Sequence, residues 1–390
     1  MTSSFNPPIR RLMGPGPSDV HPRVLGAMAR PTIGHLDPEF SRMMEEVKDL
    51  LRYAFKTKNA LTIPVSGPGS VGMETCFVNL VESGDKVIVC QNGAFGGRMK
   101  ENVERCGAVP IMVIDEWGRP VDLEKVEDAL KANSDIKAVA FVHAETSTGV
   151  QSDASAICEL ARKYGVLSIV DAVTSLGGTP VLTDEWGADA VYSGSQKCLS
   201  CMPGISPVTI SEKAANVVRS RNHKVQSWFM DLNLVMGYWS GEGARVYHHT
   251  APINPLYAIH EALVMLEEEG LEQSWERHAK MHNALREGIE AMGLSLTVEE
   301  AYRLPQLNTV SIPEGVDEAA VRRILLSRYN LEIGAGLGDL AGKVWRVGLM
   351  GQSATSEHVI LFLSAMEDVL CEQGAAINPG TALPAARSVL

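Results

Sequence analysis

Ser193-Gly194-Ser195-Gln196-Lys197, read together with Asp171 twenty-six residues upstream, decides the fold of this chain. Asp171 closes the apolar run Val166-Leu167-Ser168-Ile169-Val170, the pattern of a buried parallel strand that delivers a carboxylate at its C-terminal end. Lys197 follows a second strand-like run, Ala188-Asp189-Ala190-Val191-Tyr192, and sits in a Gly/Ser turn. An amine held in a pocket can form a Schiff base with an aldehyde cofactor. A carboxylate one strand away can keep a pyridine nitrogen protonated, so that the ring drains electrons from a substrate carbanion. Most isolated Asp…Lys pairs are surface charges, but carboxylate and lysine in this order are what pyridoxal phosphate chemistry needs.

Outward from this pair the chain alternates strands and helices. Strand-like runs at 61–65, 86–90, 109–113 and 138–142 are separated by helical spacings at 71–81, 96–105 and 123–132, with further helices at 39–56 and 154–164. Alternation of this kind implies an α/β fold with a doubly wound, mostly parallel sheet. Beyond about residue 260 the pattern changes to two long helices, 258–270 and 271–292, then short strands and one more helix, which predicts a smaller C-terminal α/β domain. The expected organisation is an extended N-terminal segment over 1–20, a large cofactor-binding domain over 21–260, a small domain over 261–373, and a mobile Ala/Pro/Gly/Ser-rich tail over 374–390.

Gly67-Pro68-Gly69-Ser70-Val71-Gly72 opens a helix after a strand and fits the dinucleotide fingerprint G-x-G-x-x-G. That fingerprint wants an acid at the end of the next strand, and here that strand ends in Cys90-Gln91-Asn92. A helix N-terminus binds any phosphate through free N–H groups and dipole. The backbone of Gly69 and Ser70, with the Ser70 hydroxyl, is therefore read as a phosphate cradle; the plain alternative is a helix-capping turn. Arg346 is one of 35 basic residues, most of which are solvated surface charges, but it lies between Trp345 and Val347-Gly348-Leu349 in an apolar strand. A buried arginine needs an anionic partner, and a substrate carboxylate fits its fork.

These motifs, with Met13-Gly14-Pro15-Gly16-Pro17-Ser18, Val170–Gly178, Tyr192–Lys197, Tyr247-His248-His249-Thr250 and Val344–Gly348, keep their order over nearly the whole chain. On them the sequence resembles the class V branch of the fold-type I pyridoxal-phosphate aminotransferases, the alanine–glyoxylate and serine–pyruvate enzymes. The resemblance implies that Lys197 carries the cofactor and shuttles a proton, that Asp171 holds the pyridine nitrogen, and that Arg346 and Gly16 bind substrate. It implies ring contacts from Phe95, where the family often has tryptophan, and from the Thr146 hydroxyl. Gln196 and the Gly69–Ser70 cradle would hold the phosphate from their own chain, while Tyr247 and Thr250 would reach it from a neighbouring subunit. A homodimer with shared sites follows. So does transfer of an amino group from alanine or serine to glyoxylate or pyruvate, since no second cation stands out for a dicarboxylate donor. Pyridoxamine–pyruvate and 3-hydroxykynurenine transamination are alternatives on this scaffold. A cysteine desulfurase needs a loop cysteine, and Ile333–Gly338 has none. A sensor module with this fold would need a DNA-binding domain, for which about twenty irregular N-terminal residues leave no room.

With 45% hydrophobic and 21% charged residues, the chain has the composition of a soluble globular protein. Its net charge of −12 argues against nucleic-acid or anionic-membrane partners. Neither a membrane-length apolar run nor a signal core is present, and seven cysteines without framework spacing suit a reducing cytosol, so a cytoplasmic location is expected. Cys198-Leu199-Ser200-Cys201 is a CxxC beside the lysine, but it lacks a second ligand pair, so no metal site is expected. The C-terminal Ser388-Val389-Leu390 departs from the peroxisomal Ser-Lys-Leu address at its middle residue.

Overall fold

The computed structural model describes residues 2–239 and 246–390. Its central feature is a seven-stranded sheet built, in chain order, from β1 (Leu61–Ser66), β2 (Lys86–Gln91), β3 (Val109–Ile114), β4 (Ile136–Val142), β5 (Leu167–Asp171), β6 (Ala190–Tyr192) and β7 (Ile205–Ile210). The strands lie in the order β1-β7-β6-β5-β4-β2-β3. Helices link the first six strands into parallel crossovers, and only β7 runs antiparallel to its neighbours β1 and β6. The β6–β7 connection has no helix; it returns directly, which an antiparallel pair allows and a parallel pair does not. Lys197 rides on that return.

β5 and β7 are buried along their whole length, as expected of strands covered on both faces. Pro64, an unlikely strand residue by composition, is tolerated because β1 is the sheet edge. Parallel orientation brings the C-terminal ends of β1, β2, β4, β5 and β6 to one side of the sheet, where open α/β folds bind ligands.

A second core surrounds a three-stranded antiparallel sheet of β8 (Leu307–Ser311), β9 (Gly334–Ala335) and β10 (Val344–Gly348), with β10 in the middle. It packs against helices Leu271–Ala291, Glu318–Tyr329 and Ser356–Glu372. The helix Ile253–Glu269 runs unbroken through the boundary expected at residue 260, and its buried Leu256, Ile259 and Leu266 belong to the first core. The change of core falls inside helix Leu271–Ala291: Leu271 packs with the first and Met281 with the second. The segment expected to be a mobile tail contains a short helix, Ala382–Arg387, whose Ala382 and Ala386 are fully buried. Two alanines one turn apart suffice for close packing on Leu271–Ala291, which composition does not reveal. No described helix is long and apolar enough to cross a membrane.

The N-terminal segment touches both cores. Arg11–Leu12 pairs in parallel with Leu331–Glu332, and the Gly348 amide donates to the Met13 carbonyl at 2.7 Å. From there the chain turns over the β6–β7 return, so one short stretch ties the second core to the lysine.

Candidate active site

Lys197 is buried, and its Nζ donates to the Pro15 carbonyl. The turn that carries it is pinned from the N-terminal segment: the Ser18 amide donates to the Gln196 carbonyl at 2.9 Å, and the Ser18 hydroxyl to the Lys197 carbonyl at 2.7 Å. Gly16 is required here twice over. Its φ of +102° belongs to glycine, and a Cβ at this position would stand 2.6 Å from Lys197 Nζ. Among the described residues no carboxylate forms an ion pair with the amine. Burial is the main force on it and lowers its pKa to about 8, with the Arg346 charge adding to the shift and Asp171 and Glu145 opposing it. An amine poised in this way is available as a nucleophile near neutral pH.

Asp171 ends β5, in register with Tyr192 of β6. One carboxylate oxygen accepts from the Val173 amide and the other from the Tyr192 hydroxyl, each at 2.8 Å. Burial pushes this acid up to about 7 against those two bonds. Among the described residues it has no cationic ion-pair partner. A buried carboxylate of this kind gains from an N–H cation placed against it.

Arg346 lies on β10 and is 7% exposed. Its Nε donates to the Ala335 carbonyl at 2.7 Å and its Nη1 to the Thr146 carbonyl at 3.1 Å. These bonds orient the guanidinium without neutralising it. Burial lowers its pKa to about 10, with Glu145 opposing the shift. The Thr146 hydroxyl meets that of Thr174 at 2.6 Å, both buried. Phe95 opens the helix Ala94–Arg105 just past β2, half-buried, with the Arg98 guanidinium 4.6 Å from its ring centre.

Past β1, the helix Gly69–Leu80 starts without any side-chain cap. Gly69 is packed so that a Cβ would stand 3.0 Å from Val173, whose amide holds Asp171, while Ser70 is exposed in the same turn. Gln196 has a buried amide oxygen with no partner. The uncapped helix start, and a buried acid and a buried amine without ion-pair partners among the described residues, fit the phosphate, ring nitrogen and aldehyde of pyridoxal phosphate.

The structure thus gathers Lys197, Asp171, Arg346, Gly16, Phe95, Thr146, Gly69, Ser70 and Gln196 at the ends of the parallel strands. It does not bring Tyr247 or Thr250 to this chain's own lysine. Tyr247 is 60% exposed and faces His35 at 5.3 Å between ring centres, and Thr250 is exposed. The CxxC cysteines are buried free thiols, each pushed up to about 12 by burial, which leaves them unreactive. Sequence reasoning gave no role to Ser18, to the Tyr192 hydroxyl or to Glu145, a fully buried acid. An acid closing an apolar strand run was the available signal for Glu145.

Residues 19–347 match the profile of the family described as Aminotransferase class-V. The (S)-ureidoglycine–glyoxylate transaminase of Bacillus subtilis is 39% identical over 98% of this chain and 95% of its own. The crystal structure of ureidoglycine–glyoxylate aminotransferase from that organism covers 99% of both chains with a TM-score of 0.97. Rabbit (Oryctolagus cuniculus) alanine–glyoxylate aminotransferase is 40% identical over 93% of each chain. The structure of an alanine–glyoxylate aminotransferase from Nostoc sp. is 48% identical, with a TM-score of 0.93 over 95% of this chain and 97% of that one. A profile match over most of the chain, together with relatives near 40% identity along nearly all of it, agrees with the geometry of the strand ends: the chain belongs to the class V aminotransferases, enzymes that depend on pyridoxal phosphate.

Proposed function

We propose that this chain transfers an amino group from a small amino acid to glyoxylate. The observation that carries the reading is Arg346, a buried guanidinium with no salt-bridge partner among the described residues, close enough to the Lys197 amine to lower its pKa. One such cation suits the single carboxylate of a small amino or oxo acid. Relatives named for alanine–glyoxylate and for ureidoglycine–glyoxylate transamination share the acceptor and differ in the donor. Glyoxylate is therefore the proposed acceptor, with alanine or serine the first donors to test and ureidoglycine the next.

In this reading Lys197 is the attachment residue, and its Nζ carries the proton to and from the substrate Cα. When bound, pyridoxal phosphate supplies an aldehyde for amine exchange and an electron sink for charge developing at that carbon. Asp171 would take the ring nitrogen and keep its proton in place. Arg346 fixes the substrate carboxylate, aligning the Cα–H bond for transfer. Phe95 and Thr146 would contact the ring, and Gly16 leaves room beside the amine. Gly69, Ser70 and Gln196 take the phosphate.

The exposure of Tyr247 and Thr250 supports their serving a second copy of the chain, and with it a homodimer of shared sites. A cytoplasmic location accords with the buried free thiols. A half-reaction screen tests the function: each amino acid is added to the holoenzyme and the cofactor absorbance followed. Turnover with alanine or serine, and regeneration by glyoxylate, is the expected result. Response to dicarboxylic amino acids alone would overturn the substrate assignment.

A further inference from the structure

We propose that Glu145 is a positioning residue for the transamination: its carboxylate locks the start of the helix that carries Phe95 to the turn that carries Thr146, so that both ring contacts move as one unit. This rests on the cofactor roles given above to Phe95 and Thr146.

The helix Ala94–Arg105 has no cap of its own. Its preceding residue, Gly93, contributes no side chain, and the two leading amides are taken by groups some fifty residues away in sequence. The Ala94 amide donates to the Ser147 hydroxyl at 3.0 Å, and the Phe95 amide to Glu145 Oε2 at 3.2 Å. Glu145 Oε1 accepts from both the Ser147 amide, at 3.0 Å, and the Ser147 hydroxyl, at 2.6 Å. Thr146 stands between these two residues. Its own carbonyl receives Arg346 Nη1, so the same clamp also sets the direction of the carboxylate fork.

The fit leaves no room for a side chain at position 93. A Cβ at position 93 would lie 2.4 Å from the Glu145 carboxyl carbon and 2.6 Å from Ser147 Oγ. The turn itself is closed by Gly149, with φ at +82° and its amide on the Glu145 carbonyl at 2.8 Å. All three bonds to the Glu145 carboxyl come from donors, which favours its ionised form. Burial opposes that charge and outweighs the bonds, holding the Glu145 carboxyl above its ordinary pKa. The helix N-terminus and the nearby Arg346 favour it. A surface cap would need none of this burial. A fully buried carboxylate that joins two cofactor-contacting residues is placed for precision rather than for helix stability alone.

The test uses the holoenzyme of Glu145→Gln, which keeps the size but points an amide N–H2 at one of the three donors. The cofactor dissociation constant should rise at least tenfold, the induced circular dichroism of the bound cofactor should change, and KM for the amino acid should rise as the Thr146–Arg346 bond loosens. Ser147→Ala removes the Ala94 cap and one Glu145 bond, and should move the same readouts by a smaller factor. A lowered melting temperature with unchanged cofactor dissociation and dichroism would make Glu145 a structural cap and overturn the proposal. Should Glu145→Gln fail to fold, unchanged readouts in Ser147→Ala overturn it equally. Phe95→Ala and Thr146→Val serve as the reference pair: if neither weakens cofactor retention, the site reading itself fails, and the clamp proposal with it.

Discussion

Replacing Arg346 with alanine isolates the group proposed to bind the substrate carboxylate. Two of its donors are committed to the Ala335 and Thr146 carbonyls, which fixes the plane of the fork and leaves the remaining N–H groups for a ligand. At 7% exposure the guanidinium is largely desolvated, so its contact with a carboxylate is little screened by bulk water. Truncating one partner of a buried, hydrogen-bonded charge pair costs on the order of 2–5 kcal/mol. At about 1.4 kcal/mol per tenfold, that is roughly thirtyfold to several thousandfold in a dissociation constant. Near-complete burial puts the expectation in the upper half of that span, at about three-hundredfold or more. Amino acid and oxo acid should weaken together, while pyridoxal phosphate binding changes little. Lysine at this position should rescue only in part, since an ammonium cannot reproduce the fork. The pH dependence gives a second handle. Burial lowers the Arg346 guanidinium to about 10. Carboxylate binding requires the charged form, so it should weaken as pH rises through about 10, and the alanine variant should lack that limb. Titrating the cofactor absorbance with alanine and with glyoxylate reads both effects. If the alanine variant binds both ligands as tightly as the parent, Arg346 is a tie between two carbonyls and the substrate argument is wrong.

Borohydride reduction should fix the cofactor onto Lys197, as peptide mapping can show. Capture of pyridoxal phosphate by the apo-protein should quicken as pH rises through about 8, where the buried amine loses its proton, and a midpoint at ordinary lysine values would refute that burial. Asp171→Asn should slow the proton-transfer step far more than it alters stability. In the apo-protein the raised carboxyl contributes stability that is present below its unfolded value of 3.8 and lost as pH rises through about 7; melting curves over that window should slope less in the asparagine variant. Mixing Lys197→Ala with a Tyr247→Ala/Thr250→Ala double variant should restore activity after subunit exchange, up to about half per heterodimer if its two sites act independently. No recovery despite demonstrated exchange would remove the shared-site reading.

The aspartate and the arginine were legible in the sequence because each interrupts an apolar strand pattern at its end or centre, where a charge needs a reason, and the lysine because it follows such a strand in a Gly/Ser turn. The order of strands and helices was legible because alternating periodicities are local. β7 and the return that carries Lys197 were harder. Ile205-Ser206-Pro207-Val208-Thr209-Ile210 has a proline at its centre and no helix before it, so only the pairing with β1 and β6 reveals a strand. The tail helix was missed for a related reason: its stability comes from two buried alanines against another helix rather than from propensity.

Side-chain chemistry and periodicity, both local properties, determined that this chain builds a doubly wound sheet with an amine and a carboxylate at its strand ends. The tertiary structure decided what each of those charges feels. Burial moves Lys197 down and Asp171 up, and the Ser18 and Gly16 contacts close the N-terminal segment over the lysine. Glu145 reaches across some fifty residues of sequence to the helix that carries Phe95. Such effects depend on distances between segments far apart in the chain and on the exclusion of water between them, and no local pattern encodes either.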